Sequence, residues 1–330
     1  MSLSGRKRAL LLLFLFLIGA GGGFLWWVNA PLLPPAGSRF DIKSGTSLIR
    51  IARQLEDKGI IRSALAFRLF ARWRGQEGSI QAGSYAFERA ATPAQVLARL
   101  VAGDVLLTRV TIPEGFSLQQ IIERLVALGV ADRQRLQAAA RDPQLIGRLG
   151  VQADNLEGFL FPETYSFVPG ISERELLGMM VDEFERRYRS LQSELEGSSL
   201  GKFELVTLAS IIQKETGLVD EMPLISSVFY NRLRSGIPLQ TDPAVIYGIA
   251  DFNGNLTRAD LQRPSPYNTY LNRGLPPGPI ASPGLAALRA AANPVKSRFL
   301  YFVARGDGSH QFSATLREHN KAVRRFQLRH

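Results

Sequence analysis

The feature that most limits what this chain can fold into is its opening, where Arg6, Lys7 and Arg8 precede an uncharged run from Ala9 to Val28. Wound as a helix, about 20 apolar residues match the hydrocarbon thickness of a bilayer, and a helix satisfies its own backbone where water cannot. A single-pass transmembrane helix is therefore expected over 9–28. Its preceding charges would hold residues 1–8 in the cytoplasm, with Trp26 and Trp27 at the far interface, and everything after Pro31 would lie outside the cytoplasmic (inner) membrane. A cleaved signal peptide is the alternative, with Leu10 to Ile18 as apolar core and small residues from Gly19 to Gly23. The apolar character that continues through Phe24, Leu25 and both tryptophans favours the span.

The 330 residues, 45% of them hydrophobic, suffice for one large or two modest cores. The absence of cysteine excludes disulfides and thiolate metal sites. Subtracting the three charges of Arg6, Lys7 and Arg8 from the formal +11 leaves about +8 beyond the span, which suits an anionic polymer or a membrane surface as neighbour. Nucleic acid is excluded as a partner, because the basic residues are scattered over many helices and no nucleic-acid motif occurs.

Residues 29–37 contain PLLPPAG, which cannot hold a helix and reads as a stiff linker. A small α+β module follows over 38–108. SRFDIK reads as a strand, and Leu48, Ile51, Ala52 and Leu55 recur at helical spacing up to Gly59. A second helix covers Ser63 to Trp73, GSYAFER returns as a strand, and Thr92, Pro93 and Gln95 open a capped helix that runs to Gly103 before VLLTRVTI. The order of strand, helix, helix and strand resembles a LysM-like glycan-binding module; a purely structural role is the alternative. Residues 109–330 form a larger α+β domain. Capping boxes pair Ser117 with Gln120 and Ser172 with Glu175, and Leu177, Met180, Val181, Phe184, Tyr188 and Leu191 line one helical face. Ser282 and Pro283 open a further helix ending at Asn293, RFLYFVA and HQFS read as strands, and a closing helix starts at Thr315. The expected fold is thus α+β throughout, behind one transmembrane helix.

Chemistry enters with LASIIQKETG, residues 208–217. At about 100° per residue, Leu205, Leu208, Ala209 and Ile212 form an apolar stripe and Glu215 projects between Leu208 and Ile211. A carboxyl group bordered by apolar side chains loses hydration of its charged form and holds its proton toward neutrality. A half-exposed glutamate paired with an arginine at a helix end is the plain alternative. Loops rich in proline, glycine, tyrosine, asparagine and glutamine follow, and such loops can shape a sugar-binding cleft.

The chain carries LASIIQKETG, FYNRLRSGIPLQTDPAVIYG, YNTYLNRGLPPGPIASPG, YFVARGDGSHQF with EHN, LEGFLFPETY and TIPEG, and on these stretches it resembles the YceG-like endolytic murein transglycosylases of the MltG type. The resemblance implies non-hydrolytic cleavage of the β-1,4 bond between N-acetylmuramic acid and N-acetylglucosamine, leaving 1,6-anhydromuramoyl ends and ending nascent strands. It places the essential acid on Glu215. An acidic residue common two positions earlier in the family is Gln213 here. By family position, Asn231, Gln240, Tyr267, Asn268 and Tyr270 are expected sugar contacts. Glu163 and Asp242 are expected to orient substrate or neighbours, with an N-cap or turn role the alternative for each, and His310 and Asn320 to close the site. No metal or organic cofactor is expected. The expected partners are peptidoglycan glycan strands and, through the membrane anchor, peptidoglycan synthases. Two other readings stay open: a non-catalytic membrane-anchored peptidoglycan-binding scaffold, and a hydrolytic muramidase with a second carboxylate.

Overall fold

The computed structural model describes residues 22–23, 26–43 and 45–328. The described residues up to Thr108, together with 166–170, form one compact unit, and Arg109–Tyr165 with the described chain from Ile171 onward forms a second.

The first unit is built on β1 (Arg39–Ile42) and β2 (Gly83–Ala86), an antiparallel pair in which Phe40 lies opposite Tyr85. Alternation sends Phe40 and Ile42 inward. Helix α1 (Leu48–Asp57) turns Ile51, Ala52 and Leu55 to the same core, and α2 (Ala64–Trp73) adds Phe67 and Ala71. Ser63 caps α2 by accepting from the Ala66 amide. Helix α3 (Pro93–Ala102) opens with the Thr92–Gln95 capping box and stops at Gly103, whose φ of 67° only glycine adopts freely. Tyr85 is fully enclosed, yet its hydroxyl donates to the Gln81 and Leu100 carbonyls at 2.7 and 3.2 Å, so its burial leaves no polar atom unmet.

Strand β3 (Thr108–Thr111) pairs with β4 (Thr164–Phe167), and between them in sequence the second unit holds α4 (Leu118–Ala127), α5 (Arg133–Ala139) and α6 (Pro143–Arg148). Helix α7 (Glu173–Arg189) carries the Ser172–Glu175 capping box and buries Leu177, Met180, Val181 and Phe184. After α8 (Gln192–Leu195) comes α9 (Lys202–Glu215), the centre of the unit. The elements after it are α10 (Met222–Arg234), α11 (Asp242–Tyr247), α12 (Arg258–Gln262), α13 (Leu285–Ala292), the hairpin β5 (Tyr301–Ala304) and β6 (His310–Ser313), and α14 (Leu316–Phe326).

Helix α9 is buried on all sides from Leu205 to Ile212, where its spacing predicts one apolar stripe. A helix apolar all round is stable only when enclosed, and α9 packs against α10, α11 and α13. The alanines of α13 are small enough to let its backbone come close: Ala287, Ala290 and Ala291 are all sealed. The polar atoms of α9 are met locally. Ser210 donates to the Thr207 carbonyl and accepts from the Ile280 amide.

Two expectations are corrected. Among the described residues no helix is long and apolar enough to cross a membrane, so the expected transmembrane helix is not supported. Most of the expected span, like the expected cytoplasmic residues 1–8, lies outside the described residues. The helix expected from Ser282 begins instead at Leu285, behind Gly284. The Gly284 amide donates to Gln213 Oε1 at 2.9 Å, and a side chain at 284 would have to displace the exposed Glu114 carboxylate. Ser282 is left buried with its hydroxyl unpartnered.

Candidate active site

Helix α9 ends at Glu215 because Thr216 turns extended, with φ −147° and ψ 144°. The last side chain of the helix is thereby delivered into a cleft of about 470 Å³ lined by Glu215, Arg232, Gln240, Asp242, Tyr270, Phe302, His310 and His319 among others. Glu215 is partly buried. Loss of hydration, reinforced by the charge of Asp242, pushes its pKa up to about 7, against the opposing pull of the Thr241 hydroxyl and the Arg232 guanidinium. Thr241 Oγ1 itself makes no hydrogen bond of full geometry, so its hold on the carboxyl is weak. The result is an acid that can both give and take a proton near neutrality.

The wall opposite α9 is held in an unusual backbone shape. Gln240 has φ +53°, the one positive φ among the described residues other than glycine. A clasp fixes it: the Gln240 amide donates to the Thr269 carbonyl, the Thr241 amide to Thr269 Oγ1, and Thr269 Oγ1 to the Thr241 carbonyl. Arg232 locks the segment from the other side. Its Nη1 donates to the carbonyls of Pro238 and Leu239 and to Gln240 Oε1, and its Nε to the carbonyl of Leu300, at 2.7–3.1 Å. Asp242 then opens α11 and accepts from the Tyr270 hydroxyl at 2.6 Å. Burial first, and this bond second, raise the Tyr270 pKa, so the phenol stays a donor.

The far wall is the hairpin and α14. His310 donates its amide to Glu221 Oε1 at 2.9 Å, and its Nδ1 lies 2.7 Å from Glu221 Oε2, which fixes the ring. His319 stacks on Tyr301 with centroids 5.1 Å apart. Burial, helped by Arg232, lowers its pKa, and its Nδ1 has no partner.

Of the expected site residues, Glu215, Gln240, Asp242, Tyr270 and His310 meet in this cleft. The other five do not line it. Asn231 donates to the carbonyls of Ser297 and Phe299. Asn268, sealed from solvent, donates to Leu261 and Arg263 carbonyls and accepts from the Tyr270 amide. Both asparagines hold loops in shape. Tyr267 packs on Tyr247 at 4.8 Å, Glu163 pairs with Arg187 at 3.1 Å, and Asn320 is exposed on α14. Arg232 and His319 were not expected. In sequence an arginine in FYNRLR reads as one more solvated charge, and only the carbonyls gathered round it reveal its work. Among the described residues no group of three or more histidines and carboxylates is placed to hold a metal.

The described chain is similar to known proteins over nearly its whole length. The YceG-like family matches residues 40–325. An endolytic murein transglycosylase of Bacillus subtilis is 33% identical across 93% of this chain and 90% of its own length. One from Streptococcus pneumoniae is 32% identical over 89% of this chain, which spans 60% of that longer relative. The crystal structure of a YceG-like protein from Listeria monocytogenes superposes with a TM-score of 0.59 at 33% identity, covering 86% of this chain and 98% of that one. Family match and relatives agree, and the chain belongs to the YceG-like family.

Proposed function

We propose that the chain is an endolytic peptidoglycan lytic transglycosylase, cutting the β-1,4 bond between N-acetylmuramic acid and N-acetylglucosamine within glycan strands and leaving 1,6-anhydro ends. The observation that carries the reading is an acid at the end of a buried helix, with its pKa raised to about 7, facing a polar cleft. Support comes also from the relatives named for this activity.

One carboxyl group suffices because the substrate brings its own nucleophile. Glu215 protonates the departing glycosidic oxygen, and the anomeric carbon is attacked by the C6 hydroxyl of the same muramoyl ring. The carboxylate then takes the proton that this hydroxyl releases. Intramolecular attack has a high effective concentration and needs no activated water. The negative charge of Asp242, in the same cleft, favours the oxocarbenium-like state between bond cleavage and ring closure. Murein lies outside the cytoplasm, so the cleft works on that side. The first unit, with its strand, helix, helix and strand order, fits a LysM-like hold on glycan.

Asp242 also favours a second reading, hydrolysis with two carboxylates, because two acids line one cleft. Glu215→Gln tests the first reading. The variant is expected to bind glycan strands and to cut none; near-normal turnover would refute the assignment.

A further inference from the structure

A second cleft of about 540 Å³ lies in the same unit, between α4 and α5. Its lining is polar: Gln119, Gln137 and Asn155 offer amides, Arg133 and Arg141 offer guanidinium groups, and Glu157 and Tyr247 form one wall. Glu157 is only 6% exposed. Both its oxygens accept from the Leu118 amide at 3.0 Å, and Oε2 also accepts from the Tyr247 hydroxyl at 3.1 Å. The Gly158 backbone adds a further hydrogen bond to the same carboxyl, so Glu157 is held by the protein and braces the wall of the cleft. Burial raises the Glu157 pKa to about 7 in spite of these donors. Next to it, Gly158 lies against α9: with φ +81°, any side chain there would strike Pro279 and crowd Val206. This wall is therefore anchored to the helix that carries Glu215.

Helix α11 links the two clefts. Asp242 at its start lines the first, and Tyr247 at its end lines the second. Along α11 the two residues differ by about 7–8 Å of rise and are turned about 140° from each other, so the one helix presents a side chain to each cleft. The Arg133 and Arg141 side chains are exposed and make no ion pair or hydrogen bond within the described chain, although they face a cleft whose other groups suit hydroxyl and acetamido substituents.

We propose that the cleft of Gln119, Arg133, Gln137, Arg141, Glu157 and Tyr247 is a second glycan subsite, taking N-acetylated sugar through its amides and a substrate carboxylate through its two arginines. The ligand is the anionic, peptide-bearing part of the strand whose bond is cut at Glu215, and the inference rests on that reading. It explains why a chain acting inside a long strand has polar lining away from the reacting acid.

The test uses the full chain carrying Glu215→Gln, which holds strands without cutting them, and soluble uncrosslinked glycan strands with intact stem peptides. Adding Arg133→Ala and Arg141→Ala is expected to raise Kd by about tenfold or more, since charge-assisted hydrogen bonds are the stronger kind. Arg133→Lys with Arg141→Lys should restore part of the affinity. Strands whose carboxyl groups have been amidated should bind the parent and the alanine variant alike. Equal Kd values for parent and alanine variant on native strands would overturn the subsite and leave the role of Glu215 standing. Failure of the Glu215→Gln parent to bind any strand would instead overturn the proposed function, and the subsite with it.

Discussion

At the scale of single residues the account turns on protons. Glu215 and Glu157 both have pKa values raised to about 7 by burial, from an ordinary 4.5. Folded protein therefore keeps these protons longer than unfolded chain does. Stability contributed at this pair is undiminished below about pH 4.5, falls as pH rises toward about 7, and levels off above. Replacing Glu215 by glutamine removes that loss. Allowing for its partial exposure, Glu215→Gln is expected to be more stable than the parent at pH 7.5 by on the order of 1–2 kcal/mol, with little difference at pH 4, in denaturant titrations at both values. Turnover should decline as pH rises through about 7, because the first step needs the acid form. A rate flat from pH 6 to 9 would contradict the assignment. Arg232 makes a different prediction. Arg232→Met strands the carbonyls of Pro238, Leu239 and Leu300 and frees the strained Gln240, and should cost about 2–4 kcal/mol in chemical denaturation.

At the scale of elements, much was legible where a local rule acts alone. The boxes at Thr92, Ser117 and Ser172 form as their spacing predicts, each with amide and side chain bonded both ways. Ser172→Ala should accordingly cost about 1 kcal/mol, measured as a shift in the denaturation midpoint. Local rules failed where tertiary contact decides. Ser282 has a cap's composition, but the Gly284 amide is held by Gln213 Oε1 and α13 starts two residues later. RFLYFVA yields a strand of four residues only, Tyr301–Ala304. The stripe on α9 correctly pointed Glu215 at the rim of a core, but α13 and α10 closed the sides that periodicity left open. Asn231 and Asn268 show the same limit: an asparagine side chain can meet a sugar or a carbonyl, and here both meet carbonyls. Close packing of α9 on α13 is itself testable. Ala291→Leu adds volume where none is free and should cost about 1–3 kcal/mol in thermal unfolding.

At the scale of the whole molecule, a formal charge of +11 sets how the chain meets its substrate. Murein strands carry carboxylates, and salt shortens the reach of charge from about 10 Å at 0.1 M to about 3 Å at 1 M. Strand binding by the Glu215→Gln protein should weaken several-fold over that range; insensitivity to salt would mean that the basic surface plays no part. The most direct test of the central claim is the fate of water. Purified glycan strands digested by the full chain in water enriched in heavy oxygen should yield new muramoyl ends that carry no heavy oxygen and weigh one water less than reducing ends. New reducing ends bearing the label would mean that water, and not the C6 hydroxyl, attacks the bond, and would contradict the account.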